Sequence, residues 1–286
     1  MRKIESIKSI REYLSVARKA DSLIGFVPTM GAIHAGHRSL MRAARADCAE
    51  VVVSIFVNPT QFGPSEDFAQ YPRPIKADLA ACAEEKVDAV FCPSVEEMYA
   101  CGSATTVQVS GLTEGLCGGH RPGHFDGVTT VVAKLFNIVQ PDIAYFGQKD
   151  AQQATVIRRM VHDLLWPLKI VVCPTVREPD GLAMSSRNAY LTPHERRQAL
   201  CLHQSLSEAQ AAIEAGHRDT GKLIEHMRER IVSAGPCAID YIAIVDPDDL
   251  TDLRMVEKRC LIALAVRIGS TRLIDNILVD ANSSAG

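Results

Sequence analysis

The stretch Leu23-Ile24-Gly25-Phe26-Val27-Pro28-Thr29-Met30-Gly31-Ala32-Ile33-His34-Ala35-Gly36-His37 decides the fold. Its first five residues form an apolar run of strand length, and Pro28 to Gly31 closes that run with turn-forming residues. Ser39-Leu40-Met41-Arg42-Ala43-Ala44-Arg45-Ala46 then supplies helix formers with one apolar side. A strand, a glycine-containing turn and a helix start therefore carry two histidines three residues apart. A helix N-terminus presents free backbone N–H groups and the positive end of its dipole, a setting that favours phosphate. Two imidazoles could add donors to the same anion. In that context His-x-Gly-His points to attack on the α-phosphate of a nucleotide rather than to hydride transfer. The same spacing also suits half-buried packing residues, or metal ligands on one helix face. The rest of the chain has to decide.

Working outward, Ile7, Ile10, Leu14 and Ala17 recur at helical spacing, so residues 6–20 read as a helix. Val51-Val52-Val53-Ser54-Ile55-Phe56-Val57 is apolar and β-branched, like a strand covered on both faces. The sequence predicts a helix near 76–86, a strand at 87–92, a helix near 127–139, a strand at 143–146, a helix near 150–164 and a strand at 169–173. Strand–helix alternation with buried strands implies a Rossmann-like, doubly wound α/β domain with a parallel sheet. Its ligand should lie at the carboxyl ends of the strands, near the switch point. After Val176 the character changes. Thr192-Pro193-His194-Glu195 reads as a helix start, with Thr192 as N-cap and Glu195 in the capping-box place. Helices over 193–215 and 219–233 and strands at 239–245, 260–266 and 271–279 suggest a smaller α+β domain with an antiparallel sheet. The expected division is 1–175 for nucleotide binding and catalysis and 176–286 for a C-terminal lid. The tail 282–286 should fray.

The apolar share of 47% suffices for a substantial core, and a net charge of −3 without a basic segment argues against a nucleic-acid partner. The nine cysteines are scattered with no C-x-x-C, which fits a reducing compartment rather than a disulfide framework. The N-terminus lacks the apolar core of a signal peptide, and no apolar run approaches the roughly 20 residues of a membrane span. A cytoplasmic protein without a membrane partner is expected.

Three further clusters could carry chemistry. Asn58-Pro59-Thr60-Gln61-Phe62 follows a buried strand, where Asn58 and Gln61 could hold a small polar substrate; an ordinary Asn-Pro turn is the plainer reading. Gly147-Gln148-Lys149-Asp150 follows the strand at 143–146. Lys149 would be a point charge for phosphate, while Asp150 and Gln153 could simply form a helix-capping pair. Met184-Ser185-Ser186-Arg187 follows Asp180-Gly181 at the domain junction and suits either a polyphosphate clamp or a polar linker. Gly118-Gly119-His120-Arg121-Pro122-Gly123-His124-Phe125 reads as a Gly-rich loop before a helix, with Arg121 and His124 as secondary candidates. Cys117 reads as a packing residue.

The order of these clusters is more specific than any one of them. Pro28-Thr29-Met30-Gly31 with His34-x-Gly36-His37, then Phe56-Val57-Asn58-Pro59-x-Gln61-Phe62, Arg121-Pro122-Gly123-His124-Phe125, Phe146-Gly147-x-Lys149-Asp150-x-Gln152-Gln153 and Met184-Ser185-Ser186-Arg187-Asn188 closely resemble the pantothenate synthetase family of the nucleotidylyltransferase superfamily. The resemblance spans roughly residues 20–195. It implies ATP-dependent joining of pantoate to β-alanine through a pantoyl-adenylate, with release of AMP and pyrophosphate, Mg²⁺ as cofactor and a homodimer. It further implies an ATP site formed by Met30, Gly31, Ala32, Ile33, His34, Ala35, Gly36 and His37, by Gly147, Gln148, Lys149 and Asp150, and by Val176, Met184, Ser185, Ser186 and Arg187. His34, His37, Lys149, Ser185, Ser186 and Arg187 would be the catalytic set. Gln61, Gln153 and Asn58 would hold pantoate and β-alanine. Many relatives carry Glu where this chain has Ala35 and Gln148. No metal ligands are legible; Asp78 is a weak candidate, otherwise an exposed helix residue. A nucleotidylyltransferase that keeps the nucleotidyl group, or a nucleotide-binding regulator without turnover, remains the rival reading.

Overall fold

The computed structural model describes residues 1–64 and 66–281; the tail at 282–286 lies outside the described residues. The chain opens with a strand that periodicity does not announce, β1 (Arg2–Ile4), too short to show alternation. The predicted helix follows as α1 (Ile7–Lys19), capped by Ser6 and burying Ile10 and Leu14. The alternation then runs β2 (Ile24–Thr29), α2 (Ala35–Asp47), β3 (Glu50–Ile55), α3 (Ile75–Glu84) and β4 (Ala89–Phe91). After the short helices α4 (Val95–Met98) and α5 (Leu116–His120) come α6 (His124–Val139), β5 (Ile143–Gly147), α7 (Ala151–Asp163) and β6 (Lys169–Cys173). Gly118, Gly119 and His120 thus lie in a helix, not in the expected loop.

All six strands are parallel, in the order β1-β4-β3-β2-β5-β6. From β2 the chain winds outward to β3 and β4, then crosses back to lay β5 and β6 on the other side of β2. That reversal is the switch point, between β2 and β5. The ladder joining these two strands covers only Gly25↔Ile143 and Phe26↔Ala144. Val27–Thr29 and Tyr145–Gly147 lie past it, so a crevice opens between the strand ends. Pro28 falls in that stretch, where a missing N–H costs no bond to β5. Cores fill both faces of the sheet. On one, Phe136 of α6 meets Phe26, Phe146 and Trp166 edge-on at 5.7–6.4 Å between centroids.

Beyond β6, the capping box of Thr192 and Glu195 forms as expected at α8 (Pro193–Gln198). The single helix expected over 193–215 is broken at Ala199, where the Leu202 N–H bonds back only three residues to the Ala199 carbonyl. α9 (Leu200–Glu214) and α10 (Thr220–Ser233) follow. β7 (Ala238–Val245), β8 (Arg259–Ile268) and β9 (Thr271–Asp280) make an antiparallel sheet in sequence order. In β8, Ile262, Leu264 and Val266 share a core with Leu206, Ile213 and Met227 of α9 and α10. The alternate residues Leu261 and Ala263 pack with Ala243 and with Ala151 of α7. Two-sided cover explains why β8 reads as an unbroken apolar run.

One close approach ties this framework to the crevice. α6 crosses the short 3-10 turn Pro59–Gln61 at Gly127, where a Cβ would lie 2.4 Å from the Thr60 carbonyl oxygen and 2.6 Å from the Gln61 nitrogen. Backbone on both sides leaves nothing flexible to yield. Gly127→Ala should therefore lower unfolding stability by about 1–3 kcal/mol, the usual range for overpacking. An unchanged denaturant midpoint would show that the crossing can loosen at no cost.

Candidate functional site

Three segments meet at the crevice. The first is the turn between β2 and α2. Its backbone is pinned by Asp78 of α3, whose carboxylate accepts the N–H groups of Ala32 at 3.0 Å and Ile33 at 2.7 Å. Asp78 is 2% exposed, so the expectation of an exposed helix residue is corrected: both of its oxygens are committed to the loop before His34. His34 is the N-cap of α2, and its Nδ1 accepts the Gly36 N–H at 3.1 Å. His37 Nδ1 accepts the His34 N–H at 3.4 Å, completing a capping box made of two imidazoles. A Cβ on Gly36 would come within 2.8 Å of the His34 ring, so a larger residue there would have to shift the ring.

With each Nδ1 accepting, each ring carries its proton on Nε2. Burial pushes the His34 pKa down to about 4, with Lys149 adding to the effect. Burial likewise pushes His37 down to about 3, helped by His34 and Lys149. At neutral pH the pair therefore consists of two uncharged donors, rings 4.1 Å apart, at the positive end of α2.

The second segment leaves β5. Gln148–Asp150 form a 3-10 turn leading into α7. The expected capping pair of Asp150 and Gln153 does not form: Asp150 has φ −99° and ψ 53°, away from extended N-cap geometry, and its side chain makes no cap bond. Lys149 is half-buried, and among the described residues its ammonium makes no ion pair. Gln153, likewise half-buried, faces the cavity. Gln148 does not; its amide donates to Asn276 of β9 at 3.0 Å.

Asn58 and Gln61 lie across from these groups. Asn58 is buried, and its amide is used within the protein: Nδ2 donates to Gln61 Oε1 and to the Gly127 carbonyl, both at 3.1 Å. Its Oδ1 accepts from the Tyr99 hydroxyl at 2.8 Å. Asn58 thus fixes which way the Gln61 amide faces, and Gln61 Nε2 is left pointing at Met30 Sδ, 3.1 Å away. His124 Nδ1 donates to the Gln61 carbonyl at 2.8 Å, and Arg121 contacts His124 Nε2 at 2.9 Å while gripping Glu66 with both arms. Burial opposes ionisation of Glu66, but the Arg121 fork outweighs it and holds the carboxyl at about 2. Arg121 and His124 therefore brace the Gln61 turn. Cys117 is buried beside the Tyr241 hydroxyl, with the Arg272 guanidinium 3.6 Å from its sulfur, a neighbour the sequence did not reveal.

The third segment closes the cavity from the second sheet's side. The Met184 N–H bonds to the Val176 carbonyl, and Ser185 Oγ accepts the Arg187 N–H at 3.2 Å. Ser186 Oγ lies 3.5 Å from the Tyr71 hydroxyl. The Arg187 guanidinium is engaged by Asp67 at 2.9 and 3.2 Å. Sequence reasoning missed Tyr71, Tyr99 and Asp67, which carry no motif and lie far along the chain from the groups they hold.

Met30, His34, Gly36, His37, Asn58, Gln61, Gly147, Lys149, Asp150, Gln153, Val176 and Met184–Arg187 all line one cavity of about 220 Å³. Gly31, Ala32, Ile33, Ala35 and Gln148 stand behind it. A second space of about 610 Å³ adjoins it toward β9 and shares Lys149, Gln153 and Arg187. Imidazole N–H groups, an ammonium, amides and hydroxyls converging at a helix N-terminus form a receptor for anions. Among the described residues no helix is long and apolar enough to cross a membrane.

Comparison with known proteins identifies the family. The family model described as pantoate-beta-alanine ligase matches residues 2–278. The chain is 56% identical to the pantothenate synthetase of Moorella thermoacetica over 99% of its own length and all of that protein, and 55% identical to that of Heliobacterium modesticaldum over 98% of its length and all of that protein. Among solved structures it resembles the pantothenate synthetase of Thermus thermophilus, with TM-score 0.92, 45% identity and coverage of 97% of this chain and 99% of that one. It also resembles the pantoate-beta-alanine ligase of Francisella tularensis complexed with beta-gamma ATP and beta-alanine, with TM-score 0.82, 37% identity and coverage of 97% of each chain. The chain therefore belongs to the pantoate-β-alanine ligase family, the pantothenate synthetases, enzymes that condense pantoate with β-alanine.

Proposed function

We propose that the enzyme activates pantoate as an acyl-adenylate and then passes the acyl group to β-alanine. One observation carries this reading: two neutral imidazoles, each locked as an Nε2–H donor at the N-terminus of α2, share a cavity with Lys149. In the first step a pantoate carboxylate oxygen attacks the α-phosphorus of ATP and pyrophosphate leaves. His34, His37 and Lys149 stabilise charge on the phosphate oxygens without reorganising. Gln61, oriented by Asn58, and Gln153 hold pantoate in line for attack. In the second step the β-alanine amine attacks the acyl carbon, and AMP leaves with the oxygen that had attacked. No enzyme nucleophile is required. The beta-gamma ATP and beta-alanine complexed with the Francisella relative support ATP and β-alanine as the ligands here.

On this reading Met30–His37, Gly147–Asp150, Val176 and Met184–Arg187 surround ATP, with Ser185, Ser186 and Arg187 closing over the polyphosphate from a lid that begins after residue 175. The groups facing the cavity are chiefly hydrogen-bond donors, and Asp78 is committed to backbone. A protein-held Mg²⁺ cage does not fit them; the ion would arrive on the phosphates of ATP. Family membership supports a cytoplasmic homodimer.

Lys149→Ala and His37→Ala should each lower the rate of adenylation by about 10²–10³-fold, roughly 2.7–4 kcal/mol. Single-turnover measurements at saturating ATP and pantoate test this, and a near-wild-type rate would remove that residue from the catalytic set. Pantoate labelled with ¹⁸O in its carboxylate should yield labelled AMP by mass spectrometry. Label confined to orthophosphate, with ADP formed, would instead mean transfer of the γ-phosphoryl group.

The depressed histidines also set a pH dependence. His34, His37 and His124 stand at about 4, 3 and 4 in the folded chain, whereas an unfolded chain protonates histidine near about pH 6.5. Between these values the unfolded state binds more protons, so stability should fall as pH drops from about 6.5 toward 4. Denaturant midpoints should show this slope, and His37→Gln should make it shallower. Identical slopes in the two proteins would contradict a neutral, buried His37.

A further inference from the structure

Asn276 lies on β9 of the small sheet, yet its side chain acts on the nucleotide-side loop. It is 4% exposed, and both ends of its amide are engaged. Nδ2 donates to two consecutive carbonyls, Gln148 at 3.0 Å and Lys149 at 2.8 Å. Oδ1 accepts from Gln148 Nε2 at 3.0 Å. The backbone at this point is itself fixed. The Asn276 N–H bonds to Asp275 Oδ1 at 2.8 Å, and Arg177 grips the Asp275 carboxylate at 2.6 and 3.0 Å. Arg177 Nη1 also donates to the Gly181 carbonyl at 3.1 Å, in the turn that leads to Met184–Arg187.

Two features single this contact out. First, the carbonyls of two consecutive residues of this 3-10 turn converge on one NH₂ group. Only a side chain with two donors on one atom and an acceptor beside it satisfies both carbonyls and Gln148 together. Second, the carbonyls so held belong to the residue bearing the ammonium and to its predecessor. Turned onto Asn276, their negative ends do not oppose a phosphate in the cavity.

We propose that Asn276 is a positioning residue for Lys149: by holding the Gln148 and Lys149 carbonyls it sets where the ammonium meets the phosphates of ATP. Part of the catalytic geometry of the first sheet is thus supplied by the second. This rests on the reading of Lys149 as a phosphate-binding group. Misplacing a catalytic group by about 1 Å costs on the order of 10²-fold, and loss of this hold should cost roughly 10- to 100-fold.

A double-mutant cycle tests it, read by single-turnover adenylation. Asn276→Asp replaces the donor with a carboxylate facing two carbonyls. It should lower kcat for adenylation by roughly 10- to 100-fold while leaving KM for pantoate within about twofold. In a Lys149→Ala background the same change should have little further effect, because the group it positions is gone. Gln148→Ala, which removes only the Oδ1 contact, should show the same non-additivity with a smaller loss, and it serves if Asn276→Asp fails to fold. Multiplying losses, or a full wild-type rate in Asn276→Asp and Gln148→Ala with Lys149→Ala impaired, would overturn the positioning role alone. A Lys149→Ala enzyme of undiminished rate would overturn the reading of Lys149 and this inference with it.

Discussion

Everything at the site follows from the early parting of β2 and β5. Two parallel strands that stay paired to their ends leave no room between them. Here the shared ladder stops at Phe26 and Ala144, and both strands continue. The turn after β2 then delivers the N-terminus of α2 to one wall of the crevice, and the turn after β5 delivers Lys149 to the other. Neither turn could take its form alone. The first is pinned by Asp78 from α3, the second by Asn276 from β9.

The histidines show how local chemistry completes that arrangement. A helix start leaves N–H groups unsatisfied, and serine or aspartate usually meets that need. Imidazole does so here with Nδ1, which leaves Nε2–H for a ligand. A carboxylate in the same place would cap equally well but would present no donor to an anion. Low pKa values follow from the same seat, since the rings are buried and share the neighbourhood of Lys149.

Much of this was legible in the sequence. The alternation of buried strands with helices pointed to the parallel sheet; the clusters at 28–37, 58–62 and 147–153 followed predicted strands, and the one at 184–188 fell at the expected domain junction. All of them reach the same cavity. The capping box at Thr192 is local and was readable for that reason. What was illegible depends on residues distant in the chain. Asp78 looks like an exposed helix residue because periodicity does not reveal that a loop from 46 positions earlier folds onto it. Asp150 looks like a cap because sequence does not report the 3-10 turn that rotates it away. β1 is too short for any pattern and exists because β4 offers an edge. The role of Asn58 in orienting Gln61 depends on Tyr99 and Gly127, which no motif connects to it.

The ion pair between Arg187 and Asp67 has a consequence for how polyphosphate enters. On the reading of Arg187 as a phosphate ligand, this guanidinium does not wait in water for its anion; it already has one. Binding is then an exchange of partners, carboxylate out and phosphate in, and the free energy gained is only the difference between the two. A half-buried arginine is spared an unpaired state at any point in the cycle.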